Sequence, residues 1–179
     1  MLRPGAGADP AVTVRLFLDV DGVVAPLSCR PDSWPDYEQE HRTPLSRQMA
    51  GRLAALPLEI VWLTTMEQGA NLYISPRLGW GPLPYIKRSE YRDRPWWKFN
   101  AVLQYLRLGG GPFVWADDEL ATSIYGSRPY SDPPARNPLD RFKVPYLLVA
   151  PDGRAGLAPQ HVDEIARFAS LHTRPAGLA

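Results

Sequence analysis

At 179 residues, 45% hydrophobic and 22% charged, the chain has the makeup of an ordinary soluble globule, long enough to bury one proper core. Its 20 Lys+Arg balance 19 Asp+Glu, so the overall charge selects no partner and any basic surface must be local. The lone Cys29 excludes an intramolecular disulfide, the three histidines lack neighbouring thiols and so give no zinc spacing, and no run approaches the roughly 18 apolar residues of a membrane span. A cytoplasmic protein without membrane association is expected.

Residues 1–10 lack the basic-then-apolar pattern of a secretion signal and are expected to form a disordered leader before a single domain, 11–179. Val14 to Leu18 is a Val/Leu/Phe-rich run that ends abruptly in Asp19-Val20-Asp21-Gly22. Such a run reads as a strand buried on both faces, with Asp19 and Asp21 at its C-terminal tip, where open α/β sheets bind ligands. Side chains two apart point the same way, which places both carboxylates over one small volume and suits a hard cation such as Mg2+. The bland alternative is a solvated Asp-Gly turn after a core strand.

Proline punctuation makes the following elements legible. Pro26 to Pro44 is polar and turn-rich, with Trp34 and Tyr37 embedded, and suggests a flap beside the site. Pro44 to Leu56 carries Leu45, Met49, Leu53 and Leu56 at helical spacing, and Leu58 to Leu63 is a second buried strand. It ends in Thr64-Thr65, hydroxyls at the same sheet edge as Asp19 if the strands are parallel; equally, threonine is at home in strands and caps a helix expected from about Glu67. A short third strand is expected at Pro84 to Lys87. Lys98 opens a helix through Leu108 with Phe99, Val102, Leu103 and Leu106 on one face, a position where the helix dipole disfavours a cation. Pro112 to Ala116 is a fourth strand delivering Asp117-Asp118-Glu119, Tyr146 to Ala150 a fifth, and Pro159 to Leu171 a closing helix.

Between Arg77 and Lys98, six cations, Arg92 and Arg94 among them, face two acids, and Trp80, Tyr85, Tyr91, Trp96 and Trp97 are interleaved. Basic residues alternating with aromatics suit a phosphate-bearing polymer whose bases stack. A solvated rim with its aromatics folded into the core accounts for the same pattern.

The order Asp19-x-Asp21-Gly22-Val23, a strand ending in Thr64, Lys98 at a helix start, then a strand ending in Asp117-Asp118, resembles the four-motif order of the haloacid dehalogenase (HAD) superfamily of phosphohydrolases over about residues 12 to 150. Val61-Trp62-Leu63-Thr64 with Asn71, Trp97-Lys98, Trp115-Ala116-Asp117-Asp118 and Gly156-Leu157 are similar to compact actinobacterial and phage HAD domains, and through them to the HAD domain of Swiss Army Knife RNA repair proteins. The resemblance implies a Rossmann-like α/β fold, a three-layer αβα sandwich around a mostly parallel five-stranded sheet. It implies a Mg2+-dependent phosphatase with Asp19 as nucleophile, Asp21 as general acid, Thr64 on the phosphoryl oxygens and Lys98 holding nucleophile and phosphate. Asp117 and Asp118 would complete, with Asp19 and Asp21, the metal site. Thr65 stands where many relatives have glycine or asparagine, so the choice between the two hydroxyls is open.

The intervals where relatives carry caps are taken up by the flap, a helix and a short strand, leaving no room for a sizeable cap. An uncapped site accepts a phosphate on a large molecule, and with Arg92 and Arg94 nearby the expected substrate is an accessible phosphomonoester such as a nucleic-acid end or nucleotide. The alternatives are a small phosphorylated metabolite, or a non-catalytic HAD-fold module that binds phosphate. A receiver-type signalling domain fits less well, because here Lys98 precedes the second acidic pair.

Overall fold

The computed structural model describes residues 12–28, 32–38, 43–91, 96–120 and 138–174. Four strands, β1 (Val14–Leu18), β2 (Leu58–Trp62), β3 (Phe113–Ala116) and β4 (Tyr146–Val149), form one sheet in the order β2-β1-β3-β4 with every pairing parallel. Among the described residues four α-helices accompany them: α1 (Arg47–Ala54), α2 (Ser75–Leu78), α3 (Trp97–Arg107) and α4 (Pro159–His172). This mixed α/β arrangement is consistent with a Rossmann-like fold.

Alternation along β1 divides the core. Val14, Leu16 and Leu18 pack with Met49 and Leu53 of α1, Leu78 of α2 and Val162 and Ile165 of α4. Phe17 turns to the opposite face and joins Phe99, Val102, Leu103 and Leu106 of α3 with Phe113 and Trp115 of β3. Both faces of the sheet are thus covered, which is why its strands read as continuous apolar runs.

The expected five-stranded sheet is corrected to four strands among the described residues. Pro84 to Lys87 makes only an isolated parallel bridge, in which Trp62 N donates to the Pro84 carbonyl (2.9 Å) and Ile86 N to the Trp62 carbonyl (3.0 Å). Pro82 and Pro84 have no N–H to extend the ladder. The helix expected from about Glu67 starts at Gln68, directly after Glu67 with its φ of 49°, and widens into a π turn, Ala70–Ile74, that leads into α2. Ser75 N donates five residues back to the Ala70 carbonyl, and Pro76 has no N–H to offer Leu72, so the wider turn suits the sequence. Asn71 uses this turn to hold the bridge segment, its Nδ2 donating to the Leu83 carbonyl (2.7 Å) while its Oδ1 accepts from Leu83 N (2.9 Å).

The described part of the expected flap is a strut. Trp34 and Tyr37 are buried, Trp34 Nε1 donates to the Leu157 carbonyl (2.6 Å), and Asp36 accepts from Ser46 Oγ (2.5 Å) and Gln48 N (2.7 Å) at the start of α1. Among the described residues, no helix is long and apolar enough to cross a membrane.

Candidate active site

The chain runs from β1 outward to β2 and then crosses back over β1 to β3, so the connections part between β1 and β3. In open parallel sheets the crevice beyond the C-terminal ends at this parting is the ligand site. Asp19 leaves β1 there and Asp117 leaves β3 beside it, each tied in by its backbone: Asp19 N donates to the Ala116 carbonyl (3.1 Å) and Asp117 N to the Val149 carbonyl (3.0 Å).

Between the two carboxylates sits Lys98, from the first turn of α3. Its Nζ donates to Asp19 Oδ2 at 2.5 Å and to Asp117 Oδ2 at 2.8 Å, and lies 3.9 Å from Glu119 Oε2. All three of Asp19, Asp117 and Lys98 are buried. The remaining oxygens are held as well: Asp19 Oδ1 accepts from Val20 N (2.7 Å), Asp117 Oδ1 accepts from Glu119 N (3.0 Å), and Trp115 Nε1 donates to Asp117 Oδ2 (3.3 Å).

Asp118 completes the acidic group. One carboxylate oxygen from each of Asp19, Asp117 and Asp118 lies within 4.8 Å of the other two. Three carboxylates against one ammonium leave two negative charges uncompensated in a largely buried place, and all donors are hard oxygens, the set a divalent cation such as Mg2+ prefers. The residues present therefore fit the ion. Protonation answers the same strain: burial pushes the Asp19 carboxyl up to about 6, with Asp117 adding to the rise and Lys98 opposing it. Burial, then Asp117 and Glu119, raise Asp118. For Lys98 burial favours the neutral amine, but Asp19 and Asp117 outweigh it and hold the pKa above the ordinary lysine value.

Asp118 is seated by glycines. Gly22 has φ +72°, and a Cβ there would stand 2.3 Å from Asp118 Oδ2; a Cβ on Gly153 would stand 2.5 Å from the same atom. The loops after β1 and β4 can close on this carboxylate only without side chains at those two places.

The remaining expected residues divide. Asp21 is exposed and lies on the wall of an open cleft of about 550 Å³, outside the three-carboxylate group; the chain has left the strand after Leu18, so the two-residue alternation no longer holds. Thr64 is buried, its Oγ1 accepting from Met66 N at 3.3 Å, whereas Thr65 is exposed and lines the cleft. Arg92 and Arg94 lie outside the described residues. Of the rest of the basic and aromatic segment, Arg77 is bound to Glu38 and to the Thr43 carbonyl, Trp80 packs on Trp62 in the core, and Arg88, Trp96 and Trp97 line the cleft.

Three contributions escaped sequence reasoning. Leu27 forms part of the cleft wall, Trp115 braces Asp117 and Gly153 seats Asp118. Gly153 acts on a residue distant in sequence, so no spacing marks it; Trp115 is two residues from Asp117, but an apolar position in a buried strand reads as core and hides its Nε1–H contact. Compared with protein-family models, curated proteins and solved structures, the chain matches none.

Proposed function

We propose that the cleft belongs to a Mg2+-dependent phosphatase that works through an aspartyl-phosphate on an accessible phosphomonoester. The carrying observation is Lys98 bridging Asp19 and Asp117 at the parting of the sheet, with Asp118 alongside. Phosphate monoesters hydrolyse extremely slowly unaided, and their catalysis depends on positioning and on neutralising charge. Asp19, Asp117 and Asp118 would hold Mg2+, which when bound offsets the negative charge shared by nucleophile and phosphate.

The chain's own groups then have distinct tasks. A carboxylate oxygen of Asp19 attacks phosphorus, and the bond from phosphorus to the ester oxygen breaks. Asp21, exposed on the cleft wall, gives that leaving oxygen its proton. Water enters from the open side, loses a proton to Asp21 and attacks the same phosphorus; inorganic phosphate leaves and Asp19 is regenerated. Lys98 keeps Asp19 oriented and supplies a fixed positive charge beside the transferred group. Thr65 lies on the cleft wall where a phosphoryl oxygen can reach its hydroxyl, and buried Thr64 braces the turn beneath.

Phosphate release from p-nitrophenyl phosphate, with Mg2+ and with excess EDTA, tests the reading. Release that requires Mg2+ and is lost in Asp19→Asn supports it. Undiminished release in EDTA, wild-type turnover by Asp19→Asn, or no release from any phosphomonoester overturns it.

A further inference from the structure

Beyond Asp19, Asp21, Asp118, Glu119 and Lys98 at its charged end, the cleft wall consists of Leu27, Thr65, Trp96, Trp97 and the exposed cation Arg88. Trp96 and Trp97 also line a small recess that runs on past Lys98 between Phe99, Trp115 and Leu120. Two indoles therefore stand immediately beside the lysine that would face a phosphate.

Trp96 occupies a costly position. It has φ 64° and ψ 51°, left-handed backbone that suits glycine or asparagine, and there it caps α3 with its carbonyl, which accepts from Asn100 N and Nδ2, both at 3.0 Å. The cap uses main chain alone, so the indole is not needed for it. Strain of this kind persists where the surrounding structure imposes it and is concentrated at ligand-binding places.

We infer that Trp96 and Trp97 form a stacking wall for the base of a nucleotide whose terminal phosphate lies against Lys98 and Asp19. The inference rests on the phosphatase reading of the same cleft and names the substrate class. A base presents a flat π-face to the indoles, and the phosphate next to it in a strand would meet Arg88. A sugar phosphate satisfies Lys98 and leaves the wall bare. A free nucleotide and the phosphorylated end of a strand share the recognised unit, and only the strand end uses Arg88.

Calorimetry on the full-length Asp19→Asn chain with Mg2+ separates this inference from the activity. A nucleoside 5′-monophosphate should bind about tenfold or more tightly than ribose 5-phosphate. In the Trp96→Gly, Asp19→Asn double variant that ratio should collapse by about tenfold; glycine fits the backbone but gives up the indole's partial packing on the α3–β3 core, so a cooperative melt well above the titration temperature checks that the fold is kept. Trp97→Ala in the same background should reduce the ratio as well. A tighter Kd for a 5′-phosphorylated oligonucleotide, weakened by Arg88→Ala, assigns the strand end; equal affinity assigns the free nucleotide. Equal binding of nucleotide and ribose 5-phosphate, or a ratio untouched by both tryptophan substitutions, overturns the inference even if phosphate release is found. Base preference without phosphate release would overturn the phosphatase reading and leave a nucleotide-binding cleft.

Discussion

Asp19, Lys98 and Asp117 are separated by 79 and 19 residues and converge on a single nitrogen atom, whereas the 22 residues from Arg77 to Lys98 are contiguous and scatter. Arg77 is bound to Glu38 and Trp80 lies on Trp62, while Arg88, Trp96 and Trp97 reach the cleft and Lys98 goes to the carboxylates. Sheet topology gathers chemistry from distant positions because each strand tip is fixed by its ladder. A compositional run has no such constraint, so its charge does not amount to a surface.

The largest effect expected from breaking the convergent side is that of Lys98→Met. It leaves Asp19 and Asp117 buried without their cation, which should cost about 3–5 kcal/mol in urea unfolding with EDTA and abolish phosphate release. A loss under about 1 kcal/mol would show that the lysine does not hold the carboxylates. Asp21→Asn should lower turnover of an alkyl phosphate by about 10²–10⁴-fold and hardly affect p-nitrophenyl phosphate, because only the alkoxide needs a proton as it leaves. Equal losses on both would remove Asp21 from the acid role.

A smaller effect concerns pH. Without metal, the folded chain keeps the Asp19 proton up to about pH 6, while the unfolded chain releases it near 3.8. Within that window the folded state binds more protons, so raising the pH through it lowers stability. Calorimetric melting in EDTA should show the wild-type Tm falling by several degrees relative to Asp19→Asn as pH rises across the window, with the difference level above it. A difference that stays flat from pH 4 to 7 would mean that Asp19 titrates as an ordinary carboxylate. The smallest effect tests the dispersed side. Arg77→Ala should cost about 0.2–1 kcal/mol, as a partly exposed ion pair does, and leave the KM for a phosphorylated oligonucleotide unchanged. A raised KM would return Arg77 to the substrate path.

Much of this arrangement is legible in the sequence because proline and glycine bound apolar runs that lie at or near the strands. Val14 to Leu18 and Phe113 to Ala116 read as buried strands, and Asp19 and Asp117 follow them directly; Lys98 stands out as a cation in the wrong turn of a helix. Pro84 to Lys87 misleads because Tyr85-Ile86 has strand composition, yet the prolines leave its backbone too few donors for a ladder. Trp34 and Tyr37 sit in a segment polar enough to pass for a flap; what draws them inward is the carbonyl oxygens of Ala155 and Leu157, more than a hundred residues away. Asp21 shows the limit of period-two reasoning, which applies only while the strand lasts.

Asp118, wedged between Gly22 and Gly153, makes the three strand-tip loops into one latch. Leu27 N donates to the Gly153 carbonyl (2.8 Å) and Ser28 N to the Arg154 carbonyl (3.3 Å), so these amides meet solvent deuterium when the loop after β4 lifts from the loop after β1. That lifting must also release the Asp118 carboxylate. Whatever ties Asp118 down therefore slows deuterium uptake at Leu27 and Ser28, and the state of the acidic centre is recorded in main-chain protection along the outer loops.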